Sequence, residues 1–110
     1  MGYMTYFELE VRGEPSDVAQ LTANAQKYSD ENVFWEVNLM FMRDQASWKW
    51  YSWEEDMIEF SSNYPNILFL LSGDGEDRGD VWFARIKDGE CVVKRPTLTV
   101  PEDAWPESLR

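Results

Sequence analysis

Eight carboxylates crowd residues 54–80, and no histidine stands anywhere in the chain. Glu54, Glu55, Asp56, Glu59, Asp74, Glu76, Asp77 and Asp80 face one cation there, Arg78, for a local charge of −7. Paired carboxylates can hydrolyse glycosides or, around a metal, phosphodiesters. A general acid of that kind needs an apolar setting that raises its pKa. These acids fall on an expected helix surface and a glycine-bearing loop, so the pattern predicts a binding surface and no catalytic centre. Without histidine, Ser-His and Cys-His nucleophiles and every histidine-containing metal site are excluded. The single cysteine, Cys91, excludes a zinc site built from several thiolates and an intrachain disulfide.

The loop Gly73-Asp74-Gly75-Glu76-Asp77-Arg78-Gly79-Asp80 is the one place to test for a cation. Aligned to a calcium loop, Asp74, Glu76 and Gly79 take positions one, three and six. Arg78 and Arg85 then take positions five and twelve, where carboxylates belong, and the match fails. We therefore expect no metal and no cofactor. The rival reading is a metal-dependent hydrolase using Asp74, Glu76, Asp77 and Asp80. A second rival is a small regulatory ligand-binding domain using an open sheet face, which a deep apolar pocket would favour.

The net charge is −11, from 21 acidic and 10 basic residues. Such a surface repels nucleic acid and anionic membranes and attracts basic partners. Residues 81–95 reverse the sign: Arg85, Lys87, Lys94 and Arg95 outweigh Asp88 and Glu90. Charge on an edge hairpin of this kind opposes sheet-to-sheet aggregation. Trp48, Trp50 and Trp53 surround Lys49 and Tyr51. Exposed aromatics can stack bases, but an acidic setting argues against it. Trp50 and Trp53 read as core, and Trp48 as an exposed interface anchor.

The elements that position these residues follow from periodicity. Tyr3, Thr5, Phe7, Leu9 and Val11 alternate with Met4, Tyr6, Glu8, Glu10 and Arg12, a half-buried strand. Ser16 reads as the N-cap of an amphipathic helix with Val18, Leu21, Ala25 and Tyr28 on one stripe. Val33–Met42 is strand-like, and Ser47–Tyr51 would pair back as a short strand. Ser52-Trp53-Glu54-Glu55 fits a capping box, leading a helix with Trp53, Met57, Phe60 and Tyr64 inward and Pro65 as its stop. Ile67–Leu71 is a continuous apolar run, as for a central strand covered on both faces. Ser72–Asp80 reads as loop. Val81–Lys87 and Cys91–Lys94 flank Asp88-Gly89, a two-residue hairpin signal.

This order predicts an α+β fold: a ferredoxin-like βαββαβ sheet with two helices on one face and an added C-terminal β-hairpin. One domain fills residues 1–110, with its core in 3–95 and a loop-like tail at 96–110 that Trp105 would anchor. No secretory signal or membrane-length apolar run occurs, and the lone Cys91 suits a reducing compartment, so a cytoplasmic setting is expected.

The middle of the chain also carries an ordered set of residues: Lys49-Trp50-Tyr51, Asp56-Met57, Ser61, Tyr64-Pro65, Phe69, Leu71, Gly73-x-Gly75-Glu76, Asp80-x-Trp82 and Lys87-Asp88-Gly89. In this it resembles a family of small proteins scattered through bacteria and their phages, and is distantly similar to YubB-like ferredoxin-type domains. The resemblance covers about residues 47–90. Where YubB-like domains carry N-W-G-T-K-W, this chain has Ala46-Ser47-Trp48-Lys49-Trp50. The resemblance implies a ferredoxin-like fold and a mobile-element setting, and brings no activity with it.

The expected function is a non-enzymatic acidic interaction module, monomeric or homodimeric. Its partner would be a protein with a basic surface, neither nucleic acid nor membrane. A phage inhibitor of a host nucleic-acid-binding defence protein, such as a CRISPR effector, fits that description. Glu55, Glu59, Asp74, Glu76, Asp77, Asp80 and Trp48 are the expected contact residues.

Overall fold

The computed structural model describes residues 2–27, Met40 and residues 45–110, with side chains of 25–27 left aside. The fold is α+β: among the described residues a five-stranded antiparallel sheet packs with two defined helices. The strands are β1 (Thr5–Arg12), β2 (Gln45–Trp48), β3 (Leu68–Gly75), β4 (Val81–Lys87) and β5 (Glu90–Lys94). The helices are α1 (Pro15–Lys27) and α2 (Trp53–Ser61). The sheet order is β2-β1-β3-β4-β5. Of the expected strand Val33–Met42 only Met40 is described, and there the backbone is helical and the side chain buried, against the expectation; the rest of that segment, Tyr28 and the side chain of Ala25 lie outside what is described.

One face of the sheet carries the core. Phe7 and Leu9 from β1, Phe69 and Leu71 from β3, and Trp82, Ala84 and Ile86 from β4 all point to it. Leu21 of α1 and Met57 and Phe60 of α2 close over them, with Met40, Trp50 and Ile67 completing the cluster. Period-2 strands and period-3.6 helices thus meet along their apolar stripes. Phe7 touches Trp50 and Trp82, at 5.3 and 5.9 Å between ring centroids. Trp53 stacks on Trp82 at 4.1 Å, nearly parallel.

Several boundaries differ from the sequence reading. Pro15 opens α1, so Glu14 takes the cap position, its carbonyl accepting from Val18 N at 3.1 Å. Proline suits the first helical position because its missing N–H would be unsatisfied there anyway. Ser16 therefore sits inside the first turn. The capping box does not form either: Ser52 makes no side-chain cap bond. Its hydroxyl donates to Asp56 Oδ2 at 3.0 Å, and the Trp50 indole N–H donates to the same oxygen at 2.7 Å. A buried indole nitrogen needs an acceptor, and Asp56 supplies it. α2 ends at Ser61, ahead of Pro65, through successive tight turns at Ser62, Asn63 and Tyr64.

β2 starts two residues earlier than expected and stops at Trp48, because its partner β1 runs out at Thr5. Tyr51 still reaches β1's approach, its hydroxyl accepting from Tyr3 N at 2.7 Å. β3 departs most. It runs through Ser72, Gly73, Asp74 and Gly75, which pair with Glu8, Phe7, Tyr6 and Thr5. The glycines there serve close approach: a Cβ on Gly73 would enter the Trp82 ring, and one on Gly75 would meet Asp80 and Tyr3. Glycine inside a strand marks such an approach. β3 is covered on one face only, with Phe69, Leu71 and Gly73 buried and Leu68, Leu70 and Ser72 partly open.

β4 and β5 pair antiparallel around Asp88 and Gly89, whose φ values are 47° and 81°. Positive φ at both positions matches strand twist in a two-residue turn. The buried Ser61 hydroxyl accepts from Gly89 N at 2.8 Å and donates to Ile58 O at 2.9 Å, tying the turn to α2.

Residues 96–110 do not wrap. Every one of them is exposed, Leu98 by 84% and Trp105 by 46%. Pro101 and Pro106 each introduce a single 3-10 turn, Glu102–Ala104 and Glu107–Leu109. The expected anchor at Trp105 is not seen.

Candidate interaction surfaces

The turn between β3 and β4 is organised by Tyr3. Its hydroxyl donates to Asp80 Oδ2 at 2.6 Å and accepts from Asp77 N at 2.8 Å. Asp80 Oδ1 pairs with Arg95 at 2.8 Å. Glu76 Oε1 accepts from Met4 N at 2.6 Å. Gly75 N donates to Asp80 O and Asp80 N to Asp77 O, closing the turn. The Arg95 guanidinium, then the Tyr3 hydroxyl, hold the Asp80 carboxyl below the usual aspartate range. The same bond to Asp80, aided by lost hydration, pushes the Tyr3 phenol above its ordinary value.

Of the seven expected contact residues, the structure gathers Glu76, Asp77 and Asp80 around Tyr3. Asp74 lies just before them on β3, exposed and facing away from the core. Glu55 and Glu59 stand one turn apart on the outer side of α2, a separate element. Asp80 is half-buried and neutralised, and Glu76 is engaged by a backbone amide. Glu55, Glu59, Asp74 and Asp77 are exposed and without an ion pair; among the described residues only Arg12–Glu10 and Arg95–Asp80 pair. Trp48 does not stand out from the surface. It is half-buried, edge-on to Trp50 at 6.0 Å and packed on the core.

No three acidic or cysteine side chains converge as metal ligands among the described residues. Within the turn, Asp80 is committed to Arg95 and Tyr3. Cys91 lies on the core side of β5, its thiol 3.8 Å from Glu54 Oε2. Burial first, and the Glu54 carboxylate second, push it up to about 11, so it is a poor nucleophile at neutral pH.

The outward face of the sheet is more open and more apolar than the sequence suggests. Tyr6 and Glu8 of β1, Leu70 and Ser72 of β3, Phe83 and Arg85 of β4, and Val92 and Lys94 of β5 share it by register. Phe83 is 53% and Val92 48% exposed. A shallow groove of about 500 Å³ runs between Glu8, Glu10, Leu70, Ser72, Phe83 and Arg85. The face is graded in charge, acidic on β1 and basic at Arg85, Lys87 and Lys94. Alternation in Val81–Lys87 already separates Phe83 and Arg85 from Trp82, Ala84 and Ile86. What hides the face is the apolar run Ile67–Leu71, which suggests cover on both sides.

No described helix is long and apolar enough to cross a membrane. No family model matches this chain, and neither a curated protein nor a solved structure matches it.

Proposed function

We propose that this chain is a non-enzymatic interaction module that presents carboxylates to a protein with a basic surface. One observation carries the reading: Glu55, Glu59, Asp74 and Asp77 are exposed, and no cation among the described residues pairs with them. Unneutralised carboxylates raise the rate of encounter with a basic target and suppress binding to anionic ones. Asp80 and Glu76 hold the turn in shape and so support the surface from behind. Exposure also leaves these acids without the apolar setting that general-acid catalysis needs.

The class of target we propose is a nucleic-acid-binding protein, such as a defence nuclease that a mobile element would block in the bacterial cytoplasm. A single cysteine fits a reducing compartment. For the fold, we propose the ferredoxin-like arrangement. A split βαβ sheet has its first strand between its third and fourth, all antiparallel, as β1 lies between β2 and β3. β4 and β5 would then be the addition to that sheet.

The test is affinity capture from a bacterial lysate, followed by mass spectrometry. The bait pair is the natural chain and the quadruple variant Glu55→Lys, Glu59→Lys, Asp74→Lys, Asp77→Lys. A basic protein retained at low salt by the natural chain only, and released as salt rises, is the expected result. Identical capture by both baits would sink the proposal.

A further inference from the structure

The fifteen residues 96–110 form an arm with the composition of a ligand. Leu98, Val100, Trp105 and Leu109 are 84, 60, 46 and 70% exposed, and the backbone hydrogen bonds of Ala104, Trp105, Leu109 and Arg110 stay within the arm. Pro96, Pro101 and Pro106 restrict its backbone, and the caps at Pro101 and Pro106 are extended, with ψ of 141° and 145°. Such a segment loses little conformational entropy on docking. The radius of gyration, 17.3 Å, exceeds the about 13 Å of a compact chain of this length, which fits an arm standing off the sheet.

The same chain carries a matching receptor. The outward sheet face offers Leu70, Phe83 and Val92 around its groove, with Arg85, Lys87 and Lys94 on the β4–β5 side. Those three cations have no ion pair among the described residues. The arm brings Glu102, Asp103 and Glu107. Apolar side chains thus meet apolar side chains, and three carboxylates meet three cations. We propose that the arm docks on the outward sheet face of a second copy, and that two copies exchange arms about a twofold axis. A twofold exchange covers both arms and both faces at once, because each chain contributes the same pair of surfaces. Each copy carries −11, so apolar burial and this local charge match have to outweigh long-range repulsion. The proposal does not depend on the acidic-surface reading: of that reading's residues only Asp74 shares this face, at the end of β3 beyond Ser72, and neither variant below touches it.

Light scattering on the intact chain across a concentration series tests it, with two full-length variants. One is Leu98→Asp with Trp105→Asp, which spoils the arm. The other is Phe83→Asp, which spoils the face. All three sites are exposed, and unchanged unfolding profiles check that the fold is kept. The natural chain should reach twice its 13.0 kDa mass, and each variant alone should stay at the single mass. Mixing the two variants should restore the double mass, since one keeps an intact face and the other an intact arm. A natural chain that stays monomeric throughout overturns the proposal. So does a dimer that survives either variant, or a mixture that never associates.

Discussion

The two faces of the sheet are built from the same strands and carry opposite chemistry. Along β4, Trp82, Ala84 and Ile86 are buried while Phe83, Arg85 and Lys87 are exposed. Along β1, Phe7 and Leu9 are buried while Glu8 and Glu10 face water. The helix-covered face holds the fold together. The outward face holds large apolar side chains that the fold does not use. An alternation of single residues therefore separates stability from recognition, and substitutions on adjacent positions should have very different effects.

The largest contrast is between two phenylalanines. Phe69 is fully buried and Phe83 is mostly exposed. Phe69→Ala should cost about 3–5 kcal/mol in urea unfolding, and Phe83→Ala under about 0.5 kcal/mol. Similar losses at both would break the distinction. Next comes Gly73→Ala, whose new methyl enters the Trp82 ring. It should cost about 1–3 kcal/mol, while Ser72→Ala beside it, on the outward face, should cost under about 0.5 kcal/mol. An innocuous Gly73→Ala would show that Trp82 can move aside. Ser61→Ala strips the Gly89 amide of its acceptor. A loss of about 1–2 kcal/mol is expected from a polar group left without its partner.

A smaller effect separates the acids that hold the turn from those that do not. Asp80 is held below its ordinary value by Arg95 and Tyr3. The unfolded chain therefore binds this proton at higher pH than the folded chain does. The stabilisation is present above the ordinary aspartate value and is lost as pH falls through the lower folded one. Asp80→Asn should flatten the stability curve in that acid range. The smallest change is local to one thiol. Alkylation of Cys91 should rise with pH around a midpoint of about 11, above the ~8.5 of a free thiol.

Much of the covered face is legible in the sequence, since alternation in Tyr3–Arg12 and Val81–Lys87 and the stripe Trp53, Met57, Phe60 report burial directly. The loop expected at Ser72–Asp80 is half strand, because glycine marks both turns and close packing, and only Trp82 decides between them. The capping box at Ser52 fails for a similar reason. Asp56 is taken by the Trp50 indole, a contact six residues apart that local pattern does not encode. Among the site residues, Asp80 and Glu76 stand out in the sequence for their charge but act by fixing the turn. That distinction requires Tyr3 and Arg95, 77 and 15 residues from Asp80. Trp48, expected outside, is half-buried, since its side follows the inward register of β2.

The central claim is that Glu55, Glu59, Asp74 and Asp77 are surplus to the fold and are free for a partner. The most direct measurement is urea unfolding of the quadruple lysine variant beside lysate capture with the same protein. Each reversal shifts the charge by two, taking −11 to −3. Self-repulsion falls, while the cation that replaces Glu55 in the first turn of α2 opposes the helix dipole by up to about 1 kcal/mol. Stability within about 1 kcal/mol of the natural chain, together with loss of the captured basic protein, is the predicted result. A variant that unfolds, or one that keeps its fold and captures the same protein as tightly, would contradict it.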